Sequence, residues 1–576
     1  MRSPATTSSS SSTSNSTSNS TDSTPRPTLP ALSTRRAVLG ASAAVAGSAL
    51  LAACSGSSGG SGMDHGSMGH GSTGGGSTPP APGGYVDPAG PEVRAAEAAR
   101  KATGPVSEVK LTATAGPLDL GAGLTARSWA YGDRLPGQEV RVTAGGTLAL
   151  TLANHLPQAT SLHWHGLALR NDMDGVPGLT QRDVAPGASF TYRFAVPHPG
   201  TYWFHPHSGV QQDRGLYAPL IVEDPREPLS YDKEWVVVLD DWLDGIDGST
   251  PDAVLAELRG GMGPGAGHGG AGGHDMGAMT PGSPAPSGSA PSAPSGPSRM
   301  LMGGGGSTVL GKDTGDVAYP HYLVNGRTAQ DPSVFTARPG ERIRLRIINA
   351  GGDTAFRLAL GGHELTVTHT DGFPMEHART GSLLLGMGER YDVLVTAGDG
   401  VFPLTALAEG KGDGASALAL LRTGSGAAPT AATRPAELAA PPLTADRLRA
   451  AGAAALAARG PDRTLRIKLT GGMAAYDWAF DGKPYTADQR HPVKAGERVR
   501  LEFNNSTTMW HPLHLHGHTF ALGGQPGGAR KDTAVILPGA TLTADFDADN
   551  PGLWMLHCHN VYHAEAGMMT VLGYQH

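Results

Sequence analysis

One segment recurs three times along the chain, and it limits the possible folds more than any other feature. Each copy is a short turn followed by the apolar run of a strand. The copies are EVRVTAGGTLALTLANH, FTARPGERIRLRIINAG and HPVKAGERVRLEFNNS. A turn and strand repeated in this way predict one small β-sandwich that is used three times.

The composition agrees with a chain of strands and turns. Glycine and proline account for 83 and 45 of the 576 residues, which favours many turns over a helical bundle. Only 16% of the residues are charged, and the formal net charge is −7. Because nucleic acid needs a dense positive surface, we expect no nucleic-acid partner.

Composition shifts divide the chain into an export signal, a tether, three strand-rich blocks and a connector. The limits are 1–54 for the signal, 55–104 for the tether, 105–228, 229–425 and 462–576 for the blocks, and 426–461 for the connector. The second block contains a Gly/Met-rich insert over 260–307, and we expect this insert and the tether to be disordered. In the connector, TADRLRAAGAAALAARG favours a helix that begins at Thr444.

The N-terminal region has the features of a cleaved export signal. Arg35 and Arg36 precede a short apolar run that ends in LAAC and is too short to span a membrane. The arginine pair is typical of the twin-arginine route, and LAAC resembles a lipobox in which Cys54 would carry lipid. We expect a lipoprotein on the outer face of the cytoplasmic membrane, or a periplasmic or extracellular protein. The only expected membrane contact is the anchor on Cys54, and an ordinary signal peptide that is cut nearby is the alternative.

Four His-X-His pairs are the strongest functional signal. Side chains two positions apart on a strand point to the same face, so each pair offers two imidazoles to one site. Random placement of 23 histidines among 576 residues would give about one such pair. The pairs are His163/His165 and His205/His207 in the first block, and His514/His516 and His557/His559 in the third. Eight imidazoles in this arrangement indicate metal binding.

Cys558 stands between the two histidines of the last pair, in LHCHNVYHAEAGMM. On a strand it faces away from both neighbours and can bind a different metal. One thiolate, two imidazoles and a weak methionine are the ligands of blue, electron-transferring copper. His511 and His563 can supply the imidazoles, and Met568 the methionine sulfur. The eight paired histidines then remain for three further metal ions.

These motifs resemble those of the multicopper oxidases, and most closely the CopA-type copper-resistance branch. They are SLHWHGLALRNDMDGVPGLTQ, GTYWFHPHSGVQQDRGLYAPLIVEDPREP, HPLHLHGH and HCHNVYHAEAGMM. The resemblance covers most of 105–576 apart from the insert and the connector. It implies an all-β fold of three cupredoxin-like Greek-key sandwiches and four coppers per chain, three of them in a cluster between the first and third domains. The middle domain has no motif ligands and would be a spacer that shapes the approach of the substrate.

The resemblance also implies which residues bind each copper. The blue copper takes His511, Cys558, His563 and Met568. The mononuclear member of the cluster takes His163 and His514. The coupled pair takes His165, His205 and His559 on one copper, and His207, His516 and His557 on the other.

Two acids are candidates for proton delivery. Asp174, in MDGVPG, matches an acid that many members of the family place near the cluster, and a plain Asp-Gly turn is the alternative. Glu565 stands two residues after His563, whereas several better-known relatives have their acid directly after the corresponding histidine.

Methionines outside any apolar periodicity point to the substrate. They lie in GMDHGSMGHGS of the tether and in GMGPGAGHGGAGGHDMGAM and RMLMGGGG of the insert. Thioether and imidazole groups in a Gly-rich chain suit the capture of Cu(I), and an idle loop is the alternative. We therefore predict a monomeric oxidase that couples four one-electron oxidations of Cu(I) to the reduction of O2 to water, with a role in copper tolerance. The alternatives are a laccase-like oxidase of phenols or other organic reductants and a copper-sequestering surface lipoprotein.

Overall fold

The structure is a computed structural model that describes residues 84–260, 296–301, 305–412 and 414–576. The export signal, Cys54, most of the tether and most of the Gly/Met-rich insert lie outside these ranges, so what we predict for them stays a prediction. Within the described ranges, no helix combines the length and the apolar character that crossing a membrane requires.

The first block consists of two four-stranded sheets. In spatial order, one sheet contains strands Leu124–Tyr131, Val106–Gly121, Gly146–Asn154 and Ser189–Val196. The other contains strands Val140–Thr143, Ala218–Glu223, Gly200–His205 and His163–His165. Burial alternates along Gly146–Asn154, which places Leu148, Leu150 and Leu152 in the core.

The second and third blocks also consist of two sheets each. The sheets of the second block contain Arg327–Thr328, His321–Val324, Lys233–Trp242, Arg342–Asn349, Arg390–Thr396, Leu365–Thr370 and Phe373–Thr380, and then Ser333–Thr336, Ser416–Arg422, Val401–Ala408, Phe356–Leu360 and Leu383–Leu385. The sheets of the third block contain Ala479–Phe480, Arg463–Thr470, Arg498–Asn505, Thr541–Asp547, Phe520–Leu522 and Arg530–Lys531, and then His491–Lys494, Met569–Gln575, Leu553–Cys558, His511–Leu515 and Thr533–Ile536. The predicted all-β class is therefore confirmed.

The recurring segment has the same conformation and the same pairing in all three blocks. Its turn glycines, Gly145, Gly340 and Gly496, all have a positive φ, of 83°, 84° and 86°. In each block the strand after the turn pairs in parallel with the first strand of the block, and the strand before the turn pairs in parallel with the last. One local sequence signal thus produces the same two-sheet topology three times, while the exact block limits stay predictions.

Helices are short and few among the described residues. The α-helices are Pro91–Ala99, Pro251–Gly260 and Val561–Ala566, and the 3-10 turns are Asn171–Met173, Gln212–Arg214, Ala436–Ala439 and Ala445–Arg447.

The C-terminal part of the predicted tether is folded, which corrects the prediction for residues 84–104. The helix Pro91–Ala99 begins with proline and is rich in alanine, and both features favour a helix at this position. Val93 is buried, and the backbone N–H of Val86 donates to the carbonyl of Tyr574 at 2.8 Å. These contacts hold the segment against the end of the third block.

The helix predicted to begin at Thr444 does not form, because tertiary contacts override its propensity. Only the 3-10 turn Ala445–Arg447 follows Thr444. The next residues bond to two blocks instead: the N–H of Ala450 donates to the carbonyl of Gly527 at 3.1 Å, and the carbonyl of Arg449 accepts from the N–H of Glu376 at 2.9 Å. Leu448 and Leu456 are buried in the same stretch, so the connector packs as an irregular strap.

We expect Leu448→Ala to lower the free energy of unfolding by about 2–5 kcal/mol, because it leaves a cavity in a connector that is part of the core. Denaturant unfolding followed by tryptophan fluorescence measures the change. Leu537→Ala is the control, since Leu537 is 40% exposed and should change stability by no more than about 0.5 kcal/mol. Equal effects of the two substitutions would show that the connector does not pack as described.

Candidate metal centres

The four His-X-His pairs converge in one buried place between the first and third blocks. Strand pairing sets His163 opposite His205 in the first block and His514 opposite His557 in the third. Rings from the two blocks also stack on each other: His163 on His516 and His165 on His514, each with ring centroids 3.8 Å apart. The predicted convergence of imidazoles from both ends of the chain is therefore present.

Only the first pair lies wholly within a strand. In the other three pairs the second histidine follows the last residue of the strand: His207 follows Gly200–His205, His516 follows His511–Leu515, and His559 follows Leu553–Cys558. The alternation of side chains along a strand correctly predicts that the histidines of each pair face one site. At three of the eight histidines, however, the residue lies just beyond the end of its strand.

His207, His516 and His557 form one of the two predicted trios. The Nε2 atom of His557 lies 3.4 Å from Nε2 of His207 and 3.1 Å from Nε2 of His516. These nitrogens lie close enough to share one metal ion. The structure brings this predicted set together directly.

The second predicted trio is His165, His205 and His559. The Nδ1 atom of His165 lies 3.2 Å from Nε2 of His559, and the ring of His205 lies 5.2 Å from that of His559. The nitrogens of His165 and His205 also lie within metal-sharing distance of His163. The three predicted residues lie next to one another, but the structure groups the nitrogens of His165 and His205 with His163 and not with His559, so the assignment of this trio stays a prediction.

Hydrogen bonds on the outer side of the rings leave inner nitrogens without partners. Nδ1 of His163 contacts the carbonyl of Asp174 at 2.8 Å, and Nδ1 of His514 contacts the carbonyl of Asp532 at 3.0 Å. Nε2 of each ring is buried and has no hydrogen-bond partner, and the same holds for Nε2 of His205. An imidazole with one ring nitrogen hydrogen-bonded and the other without a partner is typical of metal ligands. These residues therefore fit the copper that the resemblance implies.

The thiol of Cys558 lies in a separate site with His511 and His563. Sγ is 3.6 Å from Nδ1 of each ring, and the two Nδ1 atoms are 3.1 Å apart. A point equidistant from the three atoms is about 2 Å from each, which is close to the length of a metal–ligand bond. All three residues are wholly buried. The set fits a soft metal ion such as copper.

Local structure explains how His563 reaches this site. Asn560 caps the helix Val561–Ala566, because its side chain accepts from the N–H groups of Tyr562 and His563. Gly567 ends the helix with a φ of 126°, and Met568 then returns to the site. Met568 is buried, its carbonyl accepts from the N–H of Cys558 at 3.0 Å, and its N–H donates to the carbonyl of His563 at 3.0 Å.

Burial keeps most of these imidazoles neutral. It holds the pKa of seven of them well below the usual range, with the neighbouring rings acting in the same direction: His165, His205, His207, His511, His516, His557 and His559. The pKa of His514 is also lowered, mainly by burial. Neutral imidazoles have a free lone pair, so the rings are ready to bind metal near neutral pH.

Asp316 and Thr507 complete the thiolate site, and the sequence analysis missed both. Asp316 Oδ2 lies 2.9 Å from Nε2 of His563, and Thr507 Oγ1 lies 2.8 Å from Nε2 of His511. Burial disfavours the charged form of His563, but the charge of Asp316 outweighs it and raises the pKa of His563 to about 10. Thr507, four residues before His511, offered a weak local signal, whereas Asp316 is 247 residues from His563 and offered none.

The two predicted proton-handling acids lie in different surroundings. Asp174 is wholly buried, and its Oδ2 accepts from Nδ1 of His516 at 2.9 Å, so it orients the cluster as well as forming a turn before Gly175. Glu565 is half-buried and lines a cavity of about 20 Å³ that also contacts His207 and His557. A cavity of this size holds about one water molecule. Burial raises the pKa of Glu565 above its ordinary value.

The pair of His563 and Asp316 predicts a pH dependence for the metal-free protein. Because the pKa of His563 is raised to about 10, its contribution to stability is full below the ordinary histidine pKa of about 6.5 and is lost as the pH rises through 10. We expect the destabilisation by Asp316→Asn, measured by denaturant unfolding of metal-free protein, to be largest near pH 6 and to shrink towards pH 10.

The exposed Asp133 supplies the control, because Asp133→Asn should cost little stability at any pH. A penalty of Asp316→Asn that stays constant from pH 6 to pH 10 would contradict the pairing.

Comparisons with known proteins place these sites in a family context. Sequence models described as multicopper oxidase match residues 113–227, 296–426 and 458–575. Multicopper oxidase MmcO of Mycobacterium tuberculosis is 47% identical over 485 residues, which are 84% of this chain and 90% of that protein. A copper resistance protein A homolog of Pseudomonas syringae pv. tomato is 29% identical over 525 residues, covering 75% of this chain and 87% of its own.

A solved structure agrees at the level of the fold. The laccase from Botrytis aclada superposes with a TM-score of 0.65 at 24% identity, covering 82% of this chain and 88% of that one. This likeness confirms the cupredoxin-like sandwiches, and the sequence relatives confirm the predicted family and its copper-resistance branch.

Proposed function

We propose that this chain, which belongs to the multicopper oxidase family, oxidises Cu(I) to Cu(II) and passes the electrons to dioxygen. Four Cu(I) ions supply the four electrons that, with four protons, convert one O2 into two water molecules. The activity removes Cu(I) outside the cytoplasm and leaves the less membrane-permeant Cu(II), so its role is copper tolerance.

The arrangement of Cys558 and its two neighbours carries the proposal of an oxidase. His557 and His559 belong to the histidine cluster, while Cys558 belongs to the separate thiolate site. Copper bound in the two places supplies one-electron redox chemistry at the thiolate and O2 reduction at the histidines. An electron that enters at Cys558 therefore crosses one residue of backbone to reach either cluster histidine. A protein that only stores copper does not need a covalent connection between a thiolate site and a histidine cluster.

The burial of His511 and His563 favours a small ion over a bulky phenol as the reductant. Both rings are wholly buried, so neither offers an exposed edge on which a phenol could lie. The outer nitrogen of His563 meets Asp316 instead, and Oδ1 of that carboxyl is buried without a hydrogen-bond partner. Asp313 pairs with Met509 in an isolated bridge, and burial and then the charges of Asp316 and Asp353 raise its pKa to about 6. Carboxylates beside this ring suit a cation better than an aromatic molecule.

The described residues at the two ends of the Gly/Met-rich insert contact residues that lie close to His563 in sequence or in space. Before the insert, the guanidinium of Arg259 donates to the carbonyl of Glu565, two residues after His563. Near the C-terminal end of the insert, Met300 pairs with Val317, and the N–H of Leu301 donates to the carbonyl of Asp316 at 2.7 Å. Both ends therefore contact the surroundings of His563, which supports the capture of Cu(I) by the insert and its delivery to this site.

We also propose the proton supply and the location. Asp174 and Glu565 deliver protons to the cluster, Asp174 from its contact with His516 and Glu565 through the small cavity. The location outside the cytoplasm, by twin-arginine export with a lipid anchor on Cys54, rests on the sequence alone.

We expect the copper-loaded protein to be blue and Cys558→Ser to abolish the colour, because serine cannot supply the thiolate that gives the blue site its character. Visible absorption measures the colour, and circular dichroism of the same samples checks that the fold is retained. A blue Cys558→Ser protein would refute the thiolate site.

Oxygen uptake with Cu(I) and with a phenol, on one preparation, tests the substrate. We expect faster uptake with Cu(I), and we expect replacement of Met262, Met276 and Met279 by leucine to slow it several-fold while uptake with the phenol is unchanged. The control is the same replacement at Met63 and Met68 of the tether, which should have the smaller effect.

Three results would argue against the proposal. If the methionine replacements in the insert slowed oxygen uptake equally with Cu(I) and with the phenol, the insert would have no specific role in Cu(I) capture. Faster turnover of the phenol would favour the laccase-like alternative, and copper binding without oxygen uptake would favour the sequestering lipoprotein.

A further inference from the structure

The middle block supplies none of the candidate metal ligands, yet one of its turns lies directly against the histidine cluster. Gly388 has a φ of +84°, and a Cβ placed on it would lie 2.9 Å from Cε1 of His165 and 3.0 Å from Cδ2 of His559. Only glycine fits this position without moving the two rings. The turn is therefore part of the wall of the cluster.

Two residues further, Arg390 forms an ion pair with Asp532 of the third block. The guanidinium donates from Nη1 to Oδ1 at 2.7 Å and from Nη2 to Oδ2 at 2.6 Å, and both side chains are wholly buried. Nε of Arg390 also donates to the carbonyl of Thr201 in the first block at 3.2 Å. A Cβ on Gly166 would collide with both members of the pair. This one guanidinium thus joins all three blocks behind the cluster.

Asp532, whose carboxylate is held by Arg390, contacts two histidines of the cluster. Its Oδ1 lies 3.1 Å from Nε2 of His165 and 3.4 Å from Nδ1 of His514. A carboxylate at these nitrogens holds the ring protons there. Nδ1 of His165, which lies 3.2 Å from Nε2 of His559, is then left with its lone pair facing the cluster, and so is Nε2 of His514.

More buried charges continue behind Arg390. Asp371 lies 3.5 Å from Nη1 of Arg390 and 3.2 Å from Nζ of Lys531, which in turn lies 3.0 Å from Glu389. With Asp532, the five side chains comprise three acids and two bases. Taking such charges out of water is costly, and buried ion pairs often stabilise a fold no more than apolar residues of similar volume would.

We propose that Arg390, on the middle block, is a positioning residue for the trinuclear cluster. It fixes the carboxylate of Asp532, which in turn fixes the proton positions and the ring orientations of His165 and His514. Docking of the middle block therefore completes the cluster, although that block contributes no ligand. This inference rests on the proposed copper function.

The test uses the full copper-loaded protein and compares Arg390→Met and Arg390→Lys with a matched control. Arg344→Met is the control, because Arg344 is also a buried arginine of the middle block with an ion pair, to Asp392 at 2.5 Å, and a second contact to Glu227 of the first block. The measurements are total copper per blue centre, the electron paramagnetic resonance spectrum of the mononuclear cluster copper, and kcat and KM for Cu(I).

We expect Arg390→Met to keep the blue absorbance but to lose cluster copper, with a lower kcat and an unchanged KM. Arg390→Lys keeps the charge without the two-pronged contact, so it should show an altered resonance spectrum and an intermediate loss of copper. Arg344→Met should keep the wild-type ratio of copper to blue centres.

Two results would overturn the inference. One is an Arg390→Lys protein with the wild-type ratio of total copper to blue centres and the wild-type resonance spectrum. This result overturns the inference even if Arg390→Met does not fold. The other is an equal loss of cluster copper in Arg344→Met. A wild-type protein that binds no copper beyond the blue centre would instead refute the proposed function.

Discussion

The histidine cluster depends on imidazole nitrogens that are buried without a hydrogen-bond partner. Among them are Nε2 of His163, His205 and His514, and the surrounding structure has to keep these atoms in place. Each bare polar atom costs about 1–3 kcal/mol in a metal-free protein. The cost is tolerated because the outer side of each ring is fixed by a carbonyl and the rings are packed between two blocks. Binding of a metal satisfies these atoms, so part of the affinity for metal is stored in the folded chain.

The middle block takes part in both centres, which revises the interpretation of it as a spacer. Its Asp316 contacts His563 at the thiolate site, and its Gly388 packs against His165 and His559 at the cluster. Neither contact requires a metal ligand from this block. Domains without ligands can therefore set the environment of a metal centre through hydrogen bonds and close packing alone.

The sequence predicted those features whose signals are local. The repeated turn with its glycine specified the sandwich topology, and the His-X-His pairs together with Cys558 specified two sites. The sequence did not predict the contacts that join residues far apart along the chain. Asp316 meets His563 across 247 positions, and Asp532 meets His165 across 367, so no spacing rule relates them. The connector after Thr444 has helical propensity, but backbone hydrogen bonds to Gly527 and Glu376 outweigh it.

The cluster draws its ligands from both ends of the chain, and this has a consequence for biosynthesis. The contact between His165 and His559 spans 394 residues, which a ribosome translates in about 20–80 s. Throughout that interval the early histidines have emerged but their counterparts do not yet exist. A nascent or truncated polypeptide that lacks the third block therefore has only four of the eight paired imidazoles, and the cluster can assemble only after that block has been synthesised.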